Sequence, residues 1–558
     1  MKPRCLIALA LAFAAIAPAP ASASQLYETA FTTPTSVGAY SAPSDGTLTP
    51  IVGSPYAVGA FPAQPAMTPD ANFLYVSGPG VFEFSHDADG SLTPLPNPIT
   101  TPNGFFGEAV SPDGRFLFVA TKTDASVKVF QIAADGNLSE ISGSPFPAGN
   151  QTFGVAVTPD GDHLYAANTS GSISAYSVAG NGTLTSVPGS PFATGAGPFN
   201  LSVTPNGSRL YVAAHDADKI FGYTIAANGS LSPVTGTSFN TGDQPYSIAI
   251  APDGNHLYTA NEGPGNVSAF TINGNGSLSA VAGSPFASGA GARGIALTPD
   301  GEHLYVGNRI PATISSFTVS GSGALSAVAG SPFAGTASSS ALVTTPDQSP
   351  KAAFTADAGS LTVQFDADDA TDLEGPIARY DWNFGDGTTL PNGGPNPSHT
   401  YASVDTYDVS LIVTDGSGCS VPQVFTGQTA YCSGNPKGAL TKPVTIDTKL
   451  EGAKLKAKPA QKQKGGKVVV LAKAGAAENV KLVASGKVKA AGKSYALKKL
   501  RKSAKSGKLK KLKLKPKGRS SAKRISKALG GRVKATVQVK FTDAEGNTAE
   551  KKKSVRLK

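Results

Sequence analysis

Cysteine, methionine and tryptophan are scarce: the 558 residues include 3 Cys, 2 Met and 1 Trp, and only 15% are charged. Cys5 sits just ahead of an N-terminal apolar stretch, which leaves Cys419 and Cys432. Two cysteines without a neighbouring histidine do not complete a zinc site, whereas an even pair in an oxidising compartment predicts one disulfide. Long apolar runs are also missing, apart from Leu6 to Ala17 behind Lys2 and Arg4 and ahead of Ala21-Ser22-Ala23. That pattern reads as a secretory leader over residues 1–23. No later stretch approaches the roughly 20 apolar residues of a spanning helix, so an exported protein without a transmembrane segment is expected. The chain has no Gly-rich phosphate loop, no nucleophile-elbow serine and no paired-histidine zinc motif. Nothing in it therefore calls for a cofactor.

Glycine and proline are plentiful, 63 and 42, and they recur in register. Thr298-Pro-Asp-Gly-Glu-His-Leu-Tyr-Val-Gly-Asn308 is one copy of a repeat whose proline returns at 69, 112, 159, 205, 252, 299 and 346. The intervals are 43, 47, 46, 47, 47 and 47 residues. Within a copy, Ile295 to Leu297, the Pro-Asp-Gly turn and His303 to Val306 form a hairpin. Ile314 to Val319 then alternates with period two, and Leu325 to Val328 makes a fourth strand. A four-stranded meander cannot bury both faces alone, so copies must stack as blades around a channel. The N-terminal piece from Leu26 to Tyr56 supplies strands two to four of a blade, and Ala341 to Val343 supplies the missing first strand. Six complete blades and this composite close a ring of seven, removing free sheet edges.

The pattern Thr-Pro-Asp-Gly-x-His-Leu-Tyr at 158–165 and 298–305, with Asn168, Asn261 and Asn308 ending the second strand, resembles the seven-bladed lactonase-like β-propeller family. The resemblance covers residues 24–348. It implies a propeller whose relatives include hydrolases of sugar lactones, so lactone hydrolysis through the channel face is a competing function. Where enzymes resembling this propeller place a histidine just before an inner strand, this chain has aromatic residues.

Loops entering and leaving the inner strands share one channel mouth. They bring Phe153, Phe199, Tyr246 and Arg293 together with Asn168, Asn261, Asn308 and Arg309 as candidate ligand contacts. His215, Asp216 and Arg293 are the candidates for acid–base and oxyanion duty, because a protonatable ring, a carboxylate and a guanidinium are the types such chemistry uses. Aromatic rings at a mouth suit stacking on a sugar or another flat ligand. A protein partner on the same face, or pure display without a small ligand, are the other readings. His163, His256 and His303 share one repeat position with Phe73, Phe116 and Arg209, which reads as a tolerant, partly exposed site.

Residues 349–436 leave the period. Tyr380-Asp-Trp-Asn-Phe-Gly-Asp-Gly387, His399-Thr-Tyr401 and Tyr407 to Asp415 closely resemble a PKD domain, an immunoglobulin-like β-sandwich common in microbial surface and secreted proteins. Trp382 is expected in its core and His399 in a structural hydrogen bond. The acidic run with Asp366, Asp372 and Glu374 is a candidate calcium site, since hard oxygen ligands gather there. The fold class is all-β: propeller, sandwich and then a small basic β-rich module.

Residues 437–466 read as a linker and 467–558 as that module. From residue 446 onward there are 35 Lys and Arg against 6 Asp and Glu, a surplus of +29; the whole chain is +10, so the preceding residues carry −19. A short helix is expected from Ser520 to Leu529, and a hairpin from Arg532 to Phe541 with Lys552 to Leu557. Tyr495 and Phe541 are the module's only aromatics, which argues against nucleic acid. Anionic envelope polymers or acidic polysaccharides are the expected partners, held by salt-sensitive attraction.

Overall fold

The computed structural model describes residues 24–558 except 33–34, 60, 101–103, 359–360, 447–452, 464–466, 477–478 and 543–547. The expected leader lies outside them. The chain forms two compact units: the first runs to Lys351 and takes in Thr371–Arg379 and Val413–Ala439, and the second holds Ala352–Ala370, Tyr380–Ile412 and Leu440–Lys558.

Seven antiparallel sheets make the propeller. One blade consists of Ala290–Leu297, His303–Ile310, Thr313–Val319 and Leu325–Ala327, with Phe333–Ala334 as a short addition to the third strand. Closure follows the expected route: Ser339–Thr344 pairs with Ser24–Ala30, Tyr27 opposite Val343. The last blade is thus shared by both ends of the repeat.

The repeated residues are those that join blade to blade. In the Thr-Pro-Asp-Gly turn, Gly161 and Gly301 sit at φ +78° and +72°, and Thr298 Oγ1 accepts from the His303 amide at 3.0 Å. The buried tyrosine that follows reaches the turn of the next blade. Tyr165, Tyr211 and Tyr258 donate to the carbonyls of Gly229, Gly276 and Gly323 at 2.9, 2.8 and 3.1 Å. At the position expected to be partly exposed, His163, His256, His303 and Phe116 are buried, while Phe73 and Arg209 are half-buried. Each imidazole lies against the same turn glycine of the next blade, so that a Cβ on Gly229 would come within 2.1 Å of His163. Phe116 and Arg209 take the place over Gly182 and Gly276. The substitutions reflect interchangeable packing rather than exposure.

Gly-Ser-Pro serves the outer edge. After the fourth strand, the serine hydroxyl accepts a third-strand amide that would otherwise be unpaired: Ser144 from Val129, Ser190 from Ala175, Ser284 from Ala269 and Ser331 from Ser316, at 2.9–3.2 Å. A buried amide without a partner costs about 1–3 kcal/mol, which accounts for the motif better than the aromatic after it.

In the second unit, Trp382 packs among Phe354, Phe365 and Phe384, and its indole donates to Gly394 O at 2.9 Å. His399 stacks on Phe384 with centroids 4.2 Å apart and pairs with Asp386 at 2.7 Å, as expected of a structural residue. The expected linker contains structure: Ala439–Thr445 adds a strand to the sandwich sheet, and Lys454–Lys456 and Ala460–Gln461 belong to the module's sheets. Alternation in Val480–Ala490 and Val533–Thr542 buries Leu482, Val488, Val537, Val539 and Phe541 in one core. Arg519–Lys527 is helical, with Ile525 buried.

Candidate functional site

Six inner strands carry a side chain at one equivalent position: Phe106, Phe153, Phe199, Tyr246, Arg293 and Ser340. Glycine follows where neighbouring backbones crowd. A Cβ on Gly107 would lie 2.4 Å from Phe153 O, and one on Gly154 would lie 2.5 Å from Phe199 O. The rings consequently meet each other. Centroids are 5.1 Å apart for Phe106 and Phe153, 4.5 Å for Phe153 and Phe199, and 5.6 Å for Phe199 and Tyr246. The Arg293 guanidinium covers Tyr246 at 4.6 Å. Each such ring pair adds about 0.5–1.5 kcal/mol beyond burial. All remain partly exposed at the mouth, with the Arg293 guanidinium over one ring and His215 stacked on another.

Polar groups sit around these rings. His215 opens a short turn, His215–Ala217, and its ring stacks on Phe199 at 4.4 Å with 16° between planes. Its Nδ1 lies 2.7 Å from Asp216 Oδ1, and its Nε2 lies 3.9 Å from Glu262. Glu262 Oε1 accepts from Arg293 at 2.8 Å and from Arg309 at 2.9 Å. Burial works to raise the Glu262 carboxyl, but the hydrogen bonds and charge of Arg293, then Arg309, hold it below the usual carboxylate range. Burial raises the Tyr246 phenol, against the opposing charge of Arg293. Lys122 Nζ stands 5.2 Å from the Phe106 ring.

Phe153, Phe199, Tyr246, Arg293, Arg309 and His215 are therefore brought together as expected, and Asp216 touches His215 from an exposed position. Asn168, Asn261 and Asn308 are not at this surface. All three are fully buried inside their blades. Asn168 accepts from Gly149 N and donates to Ser172 and Ser174; Asn261 donates to Asn266 and Ser268; Asn308 donates to Thr313 and Ser315. They fix the loop ahead of the inner strand. Glu262, in the loop that follows Asn261, is where the sequence puts a polar group at this mouth; Phe106 joins the site without having been singled out, although it precedes Phe153 by one 47-residue repeat.

The far ends of the same strands hold a plug. Val424–Phe425 and Ala430–Cys432 form a hairpin that docks on their last residues. Val157 N donates to Gly427 O at 2.7 Å, Val203 N to Thr426 O at 2.9 Å, and Tyr431 OH to Ile250 O at 2.9 Å. Phe425 and Ala430 enter the core with Ala109, Val155 and Val157, while Tyr431 packs with Ala249, Ile295 and Leu297. The Cys419–Cys432 disulfide ties the hairpin's base, as the cysteine count predicted.

Beside this disulfide lies an acidic cluster. Asp347 is 5% exposed, and among the described residues its carboxylate oxygens have no close hydrogen-bond partner, the Ser417 side chain giving only weak relief. Burial, then the charges of Asp415 and Asp372, push its carboxyl up to about 7. Glu374 rises to about 8 by burial and then the charges of Asp347, Asp372 and Asp415. Of the expected calcium set, Asp372 and Glu374 belong here and Asp366 does not. Asp366 is exposed at the end of Thr362–Asp366, where Oδ1 accepts from Asp368 N. Asp347 and Asp415 bring carboxylate oxygens close together there, while Asp372 and Glu374 are coupled to them by charge. Cys419 lies within 4.8 Å but has no thiolate to offer, being oxidised.

Residues 148–349 match the family model "Lactonase, 7-bladed beta-propeller", and residues 347–427 match the PKD domain model. This is a lactonase-like propeller followed by a PKD domain. The propeller is similar to a putative 6-phosphogluconolactonase of Bacteroides fragilis, at 21% identity and TM-score 0.52 over 58% of this chain and 98% of that one. It is similar also to the periplasmic gluconolactonase of Pseudomonas aeruginosa, at 19% identity and TM-score 0.50, covering 58% and 99%. These likenesses establish the fold. A microbial collagenase of Vibrio alginolyticus is 32% identical over 112 residues, which is 20% of this chain and 13% of the collagenase. This propeller–PKD chain therefore spans only a small part of that relative.

Proposed function

We propose that the protein is a modular extracellular binding protein whose propeller takes a cyclic, anionic ligand at the aromatic mouth. The single observation that carries this is the floor of Phe153, Phe199 and Tyr246 bordered by Arg293, Arg309 and Lys122. Ring faces stack on the flat or apolar side of a cyclic molecule, and the cations attract its acidic group. The plug closes the other end of the inner strands, which favours entry from this mouth. The PKD likeness, the collagenase match and the disulfide support an extracellular setting. The sandwich then serves as spacer, and the basic module retains the protein on anionic polymers. In the same reading the acidic cluster binds calcium through Asp347, Asp372, Glu374 and Asp415, a charge-neutralising role beside the disulfide.

The test is thermal unfolding of the full chain against D-gluconate, D-glucono-δ-lactone and uncharged glucose. A ligand at 100 times its dissociation constant adds about 2.7 kcal/mol when it binds only the folded state. Stabilisation by gluconate that disappears in Phe199→Ala supports the reading. Lactone turnover abolished by His215→Ala would replace it with hydrolysis, the competing role in which His215, Asp216 and Arg293 are the candidate residues. No response to any of the three would remove the small-ligand role.

A further inference from the structure

The basic module carries a built groove. Val480–Ala490, Val533–Thr542 and Thr548–Leu557 pair antiparallel, with Lys487 opposite Thr536 and Gln538 opposite Lys552. Alternation sends Val488, Val537 and Val555 into the core and Lys487, Thr536, Gln538 and Lys552 to the other face. The chain after Lys493–Ala496 borders that face and forms a concave cavity of about 1000 Å³. Its cations are Lys487, Lys498, Lys499, Lys517 and Lys552; Thr536 and Gln538 lie among them, and among the described residues no acidic or aromatic side chain lines it, Glu550 standing just outside against Gln538.

We infer that this groove seats an acidic polysaccharide, a chain of sugar units bearing carboxylates. This rests on the retention role proposed above and names the site and the ligand class. Ammonium groups on flexible stems bind single anionic oxygens without demanding the bidentate geometry that arginine offers, and every cation in the groove is lysine. The threonine hydroxyl and glutamine amide supply the donors and acceptors that sugar hydroxyls need between charges. Gln538 already donates to Glu550 at 2.5 Å, which leaves its amide oxygen for the ligand. The lack of an aromatic platform disfavours single-stranded nucleic acid, whose bases gain about 1–3 kcal/mol each by stacking. Five like charges around one hollow repel each other, and a polyanion relieves that repulsion as it binds.

The experiment measures binding of a labelled oligogalacturonate to the full chain at low and moderate salt. Lys487→Gln with Lys499→Gln and Lys552→Gln is compared with Lys505→Gln, Lys510→Gln and Lys523→Gln, which removes the same charge from elsewhere on the module. The groove variant is expected to weaken binding at least tenfold and flatten its salt dependence, with the control variant within twofold of the parent. Equal losses in the two variants would overturn the groove while leaving general retention standing. Failure of the unmodified chain to bind oligogalacturonate would overturn the groove's ligand. If it also fails to bind polyphosphate, the retention role falls with it. Binding of single-stranded DNA or anionic vesicles tenfold tighter than oligogalacturonate would overturn the ligand class. Far-ultraviolet circular dichroism of both variants separates loss of binding from loss of fold.

Discussion

Truncating Tyr431 should loosen a propeller whose repeat ended more than 80 residues earlier. The ring is 8% exposed, packs with Ala249, Ile295 and Leu297, and its hydroxyl donates to Ile250 O at 2.9 Å. Removing only the hydroxyl in Tyr431→Phe leaves that carbonyl unpaired, at a cost of about 1 kcal/mol. Removing the ring in Tyr431→Ala costs about 3–5 kcal/mol, the range for large-to-small aromatic substitutions in cores. The only tryptophan, Trp382, lies in the second unit, so its fluorescence does not report this change. Hydrogen exchange does. The amides of Val157 and Val203 donate to the hairpin at Gly427 and Thr426. At tenfold per 1.4 kcal/mol, the alanine variant should speed their exchange by about two to three and a half orders of magnitude, and the phenylalanine variant by roughly fivefold. Unchanged protection of Val157 and Val203 in Tyr431→Ala would refute the claim that the hairpin holds the inner strands.

Glu83 is 2% exposed, and its carboxyl is raised from 4.5 to about 7, by burial first, against hydrogen bonds led by that from Leu138 N. A raised folded-state pKa gives stability that is complete below about 4.5 and lost as pH climbs through about 7. The shift corresponds to roughly 3 kcal/mol, so Glu83→Gln should unfold at higher denaturant than the parent at pH 8.5 and lose that advantage at pH 4.5. Calcium should raise the unfolding midpoint of the full chain, and Asp347→Asn should abolish the increment; an equal increment in the variant would exclude Asp347 as a ligand. Ser284→Ala should cost about 1–3 kcal/mol by orphaning the Ala269 amide, with Ser284→Thr less damaging, as read by chemical denaturation.

The blades were legible because each repeated residue meets a local demand that returns every 47 residues. A turn needs positive φ at glycine, a ladder gap needs the Gly-Ser-Pro hydroxyl, and a tyrosine needs the next turn's carbonyl. The aromatic mouth was legible for the same reason, since Phe153, Phe199, Tyr246 and Arg293 keep the period. Asn168, Asn261 and Asn308 keep it too, but period gives position and not the direction of a side chain; these amides turn into the blade. The plug and the acidic cluster were beyond reach. Phe425 meets Val155, and Asp347 meets Asp415, through contacts between chain segments that share no repeat. Asp366 looked like a ligand because it is near Asp372 in sequence, yet it sits exposed at the end of its own strand.

Calorimetric titration of the full chain with D-gluconate, repeated on Phe199→Ala and on Arg293→Gln, tests the mouth most directly. Saturable one-to-one binding to the parent, weakened at least tenfold by either change, is the predicted result. Binding that survives both substitutions would contradict the account, because the ligand would then be held somewhere other than the aromatic floor and its cations.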